Sequence, residues 1–228
     1  MRFNHIFKLT NENETHREYK CDNVNINIDF ISGSALRVAV FNDNAEMLPT
    51  FTVNPNNNLS SLGRSRLSVD GFDCVAPVVE KFENKEKFVL DCGVTVDLDL
   101  NNFILSYSKE SKLLFADRAP LAYNFEGEFG NGSYHYITRE DDEHIFGLGD
   151  KSGLINKAGQ VYRVETADSM GFDAEKTDPL YKHVPFYICE NSVGAYGIYY
   201  DTTDTSFVDL GREINNYYCH FKYFKTDD

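Results

Sequence analysis

Val24-Asn25-Ile26-Asn27-Ile28-Asp29-Phe30 sets an apolar side chain at every second position, and in an extended chain alternate side chains share one face. The segment predicts a half-buried antiparallel strand with its four apolar residues turned inward. The same signature recurs outward from it, at Ala35 to Phe41, Phe88 to Leu90, Val94 to Leu100, Phe103 to Tyr107, Lys112 to Phe115 and Ser133 to Thr138. It returns at Val184 to Cys189, Ala195 to Tyr200, Thr205 to Leu210 and Tyr217 to Phe224. Polar connectors such as Ser32-Gly33-Ser34 and Asn101-Asn102 suit turns between neighbouring antiparallel strands. No stretch offers a long amphipathic helix. Many short strands with polar turns predict an all-β fold, a β-sandwich of two packed, mainly antiparallel sheets. Without a repeat, a low-complexity linker or a shift of composition, residues 1–228 read as one domain.

Two runs break the alternation, Leu48 to Gly71 and Glu165 to Lys182. Loops of that length in compact domains are usually functional or disordered, and the second is expected to be functional. The chain stops at Lys225-Thr226-Asp227-Asp228, directly after a strand signal, as a chain cut at a domain edge would.

Composition narrows the function. The 228 residues carry 22 Lys plus Arg against 36 Asp plus Glu, a formal charge of -14, which argues against a phosphate backbone and hence against nucleic acid as partner. A neutral ligand such as a sugar is compatible with that surface. Five cysteines, Cys21, Cys74, Cys92, Cys189 and Cys219, contain no CxxC pair and fit a reducing, cytoplasmic setting better than a disulfide framework. The N-terminal apolar run is too short for a signal peptide, and no stretch reaches membrane-spanning length, so no membrane partner is expected. The sequons at Asn13, Asn58 and Asn131 then go unused.

Local motifs for chemistry are sparse. Phe146-Gly-Leu-Gly-Asp-Lys-Ser-Gly153 is glycine-rich, but a phosphate-binding loop needs a helix after it, and Leu154 to Tyr162 has no helical period. Its glycines instead let the backbone bend where a strand leaves the sandwich. The run Glu140-Asp141-Asp142-Glu143-His144 lacks the spaced ligands and glycine turn of a hard-cation loop and reads as a solvated turn, so neither metal nor cofactor is expected. His135, His183 and His220 fall in strand-like segments, as satisfied core or rim residues do. No GxSxG elbow is present, and carboxylates are too abundant for any one pair to stand out.

The C-terminal third carries an ordered set: Phe146-Gly-Leu-Gly-Asp150-Lys151, Tyr162-Arg163, Glu165-Thr-Ala-Asp168, Thr177-Asp-Pro-Leu-Tyr181-Lys-His-Val-Pro185-Phe186 and Tyr196-Gly-Ile-Tyr-Tyr-Asp201, closing on Phe221-Lys-Tyr-Phe224. Over Ile145 to Phe224 this resembles the N-terminal domain of glycoside hydrolase family 31, the α-glucosidase-like enzymes. The resemblance implies a galactose-mutarotase-like β-sandwich beside a catalytic (β/α)8 barrel. In the family the barrel supplies two aspartates, the nucleophile inside a Trp-x-Asp-Met-Asn-Glu motif. This chain has no tryptophan and no Asp-Met-Asn, so no catalytic residue is expected in it, and alone it should be inactive.

What the family's sandwich contributes is a loop over the active-site mouth whose aspartate holds sugar hydroxyls. Asp168 matches it. A carboxylate suits the task because it accepts two hydroxyl hydrogen bonds strongly; the competing reading is an aspartate that caps its own loop. Ala167 and Asp150 depart from the family pattern, which bears on substrate preference. Arg163 and Tyr181 are expected to brace the loop. The stretch Leu62 to Asp73 offers Asp73 as a residue of the active-site rim, against a reading as a mobile surface loop. The expected activity of the intact protein is that of a retaining exo-acting α-glucosidase on oligosaccharides, with the chain's own C-terminal barrel as partner. An exposed docking face would favour self-association into a homo-oligomer. The alternatives are a stand-alone aldose 1-epimerase (mutarotase), which needs a paired acid and base, and a carbohydrate-binding module using tyrosine and phenylalanine platforms.

Overall fold

The computed structural model describes residues 6–55, 62–124 and 132–213, together with the backbone of residues 218–224. The chain divides into two compact units, Arg2–Ser111 and Lys112–Asp228. No helix occurs among the described residues, and every strand pairing is antiparallel. The all-β expectation holds.

In the first unit, β1 (Lys8–Glu12), β2 (His16–Cys21), β3 (Val24–Ser32) and β4 (Ala35–Asn42) form one sheet in sequence order. The strands β5 (Val78–Lys81), β6 (Lys85–Val89), β7 (Val94–Asp99) and β8 (Ile104–Lys109) pair in sequence order in another. Tyr19, Ile26, Ile28 and Phe30 from the first sheet meet Phe88, Val96, Leu98 and Phe103 in a shared core. The Phe30 and Phe88 rings lie 5.1 Å apart, and Tyr19 and Phe103 lie 5.7 Å apart, edge to face, a preferred arrangement for aromatic pairs. The Tyr19 hydroxyl donates to Glu86 Oε2 at 2.8 Å, so this buried phenol is not left without a partner.

One expectation needs amending. β3 is not half-buried, because Asn27 and Asp29 on its polar face are buried too. Asp29 receives two hydrogen bonds from Arg37, and the same guanidinium donates to the carbonyls of Arg66, Leu67 and Ser68. The stretch 66–68 is thereby tied to a partly buried ion pair. Alternation reveals which face is apolar, but not that charged partners will cover the other.

In the second unit, β9 (Lys112–Ala116), β10 (Tyr123–Asn124), β11 (Gly132–Thr138), β13 (Val161–Val164), β16 (Ser206–Asp209) and β17 (Tyr218–Phe224) accompany a small three-stranded sheet of β12 (His144–Gly147), β14 (Phe186–Glu190) and β15 (Ala195–Tyr199). The larger sheet runs β10-β11-β17-β16-β13 and the small one β12-β14-β15. Ile137, Val164 and Val208 from the larger sheet pack against Ile145, Tyr187 and Cys189 from the small one, with Leu148 and Leu210 closing the cluster. Each unit is therefore a two-layer β packing with its own core. The alternation had missed β1, β2, β5, β10, β12 and β13, which are short or carry charged residues at half their positions.

Candidate functional site

The region that carries the ordered motifs is built around the turn after β12. Gly147, Leu148 and Gly149 all have positive φ, 120°, 64° and 72°. A Cβ on Gly147 would lie 2.7 Å from the carbonyl oxygen of Phe186, so only glycine lets β12 approach β14 there. Leu148 donates its N–H to that same Phe186 carbonyl at 2.8 Å and buries its side chain completely. The glycines turn a strand out of its sheet, as expected, and no helix follows among the described residues.

From that turn Lys151 reaches back into the protein. Its side chain is fully covered, and its Nζ donates to the Arg163 carbonyl at 2.5 Å and to Asp178 Oδ1 at 3.1 Å. The other oxygen of Asp178 accepts the Arg163 N–H at 2.6 Å. Residues 163 and 178 are thus clamped where the run Glu165 to Lys182 leaves and returns. Further along, Ser169 Oγ donates to the Pro179 carbonyl at 2.9 Å, while the Tyr181 hydroxyl reaches the Ser169 carbonyl at 3.5 Å, the outer limit of a hydrogen bond. Asp173 closes the tip, its Oδ1 accepting the Glu175 N–H and its own N–H donating to Thr177 Oγ1.

Asp168 lies on this loop and is exposed. No described residue donates a hydrogen bond to its carboxylate, whereas Asp173 and Asp178 are both engaged. Leu154, Ile155, Met170 and Phe172 are exposed apolar side chains of the same unit, and the Gly153 N–H donates to the Ala174 carbonyl at 2.9 Å, which brings the two stretches together. Arg163 braces the loop by its backbone; its side chain pairs with Glu165 at 2.7 Å instead. Asp73 is exposed as well, in the first unit.

A second lysine, Lys157, is buried under the same turn. Its Nζ donates to the Ser152 carbonyl at 3.0 Å and lies 5.2 Å from the centre of the Tyr162 ring. Burial lowers its pKa, and burial raises that of the Tyr162 phenol. Sequence reading assigned no role to Lys151, Lys157 or Asp178; nothing in a lysine's neighbours along the chain marks it as buried.

The acidic run is only in part a solvated turn. Asp141 and Asp142 are exposed and Asp142 accepts the Ser192 N–H at 3.0 Å, but Glu143 is buried. The Tyr196 hydroxyl donates to its Oε1 at 3.1 Å, and burial raises its pKa. Burial likewise pushes the Cys189 thiol up to about 12. The sequence shows five polar residues in a row and cannot show which one the strand turns inward.

His135 is a satisfied rim residue. Its Nε2 lies 3.0 Å from Asp117 Oδ1, its Nδ1 lies 2.9 Å from the Tyr200 hydroxyl, and its ring stacks on Tyr123 at 4.7 Å. His183 Nε2 lies 2.9 Å from the Asp204 carbonyl oxygen. His220 lies outside the residues whose side chains are described, as does Cys219. Cys21, Cys74, Cys92 and Cys189 are free thiols. Among the described residues no group of three His, Cys, Asp or Glu side chains is placed to hold a metal ion. No described helix is long and apolar enough to cross a membrane.

Residues 25–209 match the family of glycosyl hydrolase 31 N-terminal galactose mutarotase-like domains. The chain belongs to this family. This mutarotase-like domain is 25% identical, over 112 residues, to alpha-glucosidase 2 of Bacillus thermoamyloliquefaciens, covering 49% of this chain and 14% of that protein. Among solved structures it is similar to a family 31 dextranase of Flavobacterium johnsoniae complexed with isomaltotriose, with a TM-score of 0.74 at 21% identity over 98% of this chain and 25% of the other. It is similar as well to an α-1,4-glucan lyase of Gracilariopsis lemaneiformis, with a TM-score of 0.72 at 12% identity over 96% and 26% of the two chains. The family 31 domain described here thus spans a seventh of the curated relative and about a quarter of these structures. A hydrolase and a lyase share its fold about equally, so the fold of the domain does not choose between those reactions.

Proposed function

We propose that residues 1–228 are the non-catalytic N-terminal domain of a retaining α-glucosidase that removes terminal α-linked glucose from oligosaccharides, and that the domain lends its 165–182 loop to the active site of a (β/α)8 barrel. The observation that carries this reading is Asp168, an exposed carboxylate that no described residue satisfies, on a loop held at its neck by the hydrogen bonds of Asp178. An aspartate that capped its own loop would accept backbone N–H groups, as Asp173 does. A free carboxylate on a fixed frame suits two sugar hydroxyls.

The chemistry falls to the barrel. One carboxylate attacks the anomeric carbon and the C–O bond to the leaving sugar breaks as the second carboxylic acid protonates the departing oxygen. Water, deprotonated by that second group, then releases glucose from the glycosyl-enzyme with net retention. Asp168 would position the glucosyl ring and exchange no proton. Asp73, exposed in the first unit, is proposed as an active-site rim residue. The mutarotase alternative needs a paired acid and base, and two of the described histidines, His16 and His135, already have both ring nitrogens on internal partners.

The test is hydrolysis of p-nitrophenyl α-glucoside by this chain alone and by the chain joined to its barrel. The reading expects turnover only in the longer protein, and a raised KM when Asp168→Ala is introduced there. Turnover by the chain alone would overturn it.

A further inference from the structure

No described residue holds the Asp168 carboxylate by a hydrogen bond or an ion pair, so its position is set by whatever fixes the loop on either side. One side is short. Ser169, the next residue, donates its hydroxyl to the carbonyl of Pro179 at 2.9 Å, and Pro179 follows Asp178 directly. Asp178 spends both carboxylate oxygens on the loop's neck, one on Lys151 Nζ at 3.1 Å and one on the Arg163 N–H at 2.6 Å. Lys151 in turn donates to the Arg163 carbonyl at 2.5 Å, and no part of its side chain is exposed. Three chain segments meet at this point: the turn after β12, the end of β13 and the return limb of the loop.

We infer that Lys151 and Asp178 are positioning residues for substrate, a latch built on a covered lysine that sets where Asp168 stands without touching the sugar. The latch suits this because a covered lysine cannot trade its protein partners for water at no cost, and removing one partner strands the other. The path from latch to Asp168 is one proline, whose φ is fixed, and one hydrogen bond. Water-exposed ion pairs such as Lys182 with Asp150 at 3.2 Å lack this leverage. The inference rests on the reading of Asp168 as a sugar contact.

Two measurements separate the latch from that reading. In this chain, hydrogen exchange of the amides of residues 165–181 is compared between the parent, Lys151→Met and Lys151→Arg. We expect Lys151→Met to speed exchange there about tenfold or more while β11, β14 and β16 stay protected, and Lys151→Arg to restore part of the protection. Unchanged exchange in Lys151→Met overturns the latch. In the protein joined to its barrel, steady-state kinetics on p-nitrophenyl α-glucoside compare Lys151→Met, Asp168→Ala and the double variant. We expect Lys151→Met to raise KM about fivefold or more with a smaller change in kcat, and the double variant to be no worse than Asp168→Ala alone. Additive losses would show that Lys151 acts elsewhere and overturn the inference. A silent Asp168→Ala would remove the sugar contact and with it the positioning role, while the exchange result still judges the latch itself.

Discussion

The imidazole of His16 and the carboxylate of Asp29 meet at 2.6 Å, Nδ1 to Oδ1, while His16 Nε2 lies 3.0 Å from Glu18 Oε1. Burial of the ring works against its charge, but the hydrogen bonds and charges of Glu18 and Asp29 outweigh it, and the pKa of His16 is raised. A raised folded-state pKa gives stability that is fully present below the unfolded value, near 6.5, and is lost as pH climbs through the folded value. The first unit should therefore lose stability as pH rises above about 6.5. His16→Gln should flatten that slope, read by urea unfolding at a series of pH values; an unchanged slope would mean His16 is not its source.

Glu143 contributes with the same sign and less benefit. Burial raises its pKa, so its contribution is intact at acid pH and lost as pH rises through the folded value. At neutral to alkaline pH the charge must be kept in the core or given up. Glu143→Gln keeps the shape and an acceptor for the Tyr196 hydroxyl and has no charge to bury. It should melt a few degrees higher than the parent at pH 8 and equal it near pH 4, by calorimetry. A lower melting temperature at pH 8 would count against a strained carboxylate.

Gly147→Ala should be among the most damaging single substitutions in the second unit. Its φ of 120° is a conformation that L side chains rarely adopt, and the added Cβ would sit 2.7 Å from the Phe186 carbonyl oxygen and 2.9 Å from Tyr187 Cα, both backbone. We expect a loss of about 2 kcal/mol or more. Gly159→Ala is the control: its φ is also positive, at 73°, but its Cβ would meet nothing within 4 Å. Equal losses at the two sites would mean that φ alone, not the approach of β14, matters.

Asp168→Ala and Asp173→Ala should part company in this chain. The Asp168 carboxylate accepts no hydrogen bond from a described residue, so its loss should change stability by no more than about 0.5 kcal/mol. Asp173 accepts the Glu175 N–H at 2.8 Å, and removing it should make the loop tip more open to proteolysis. Thermal denaturation and limited trypsin digestion check both; a clear destabilisation by Asp168→Ala would point to the loop-capping role instead.

The period-two alternation from Val24 to Phe30 was enough to place a strand, and its repetition enough to place an all-β fold, because a strand's side-chain period is set by local backbone geometry. The order of Phe146-Gly-Leu-Gly, Asp168 and Pro179 to Phe186 was enough to place the family. Short strands escaped: Val161–Val164 alternates buried and exposed over only four residues, too few to stand out from chance.

Local sequence could say that the backbone is free to turn sharply at residues 147 and 149 and that Asp168 lies between two strand signals, since glycine permits conformations that other residues avoid. It could not say that Lys151 is covered while Lys182 is exposed, or that Glu143 goes inward while Asp142 stays in water. Burial and partnership belong to residues that are distant along the chain, 27 positions apart for Lys151 and Asp178. Only the tertiary structure brings them together, because the free energy of a buried charge depends on what surrounds it and not on what precedes it in the sequence.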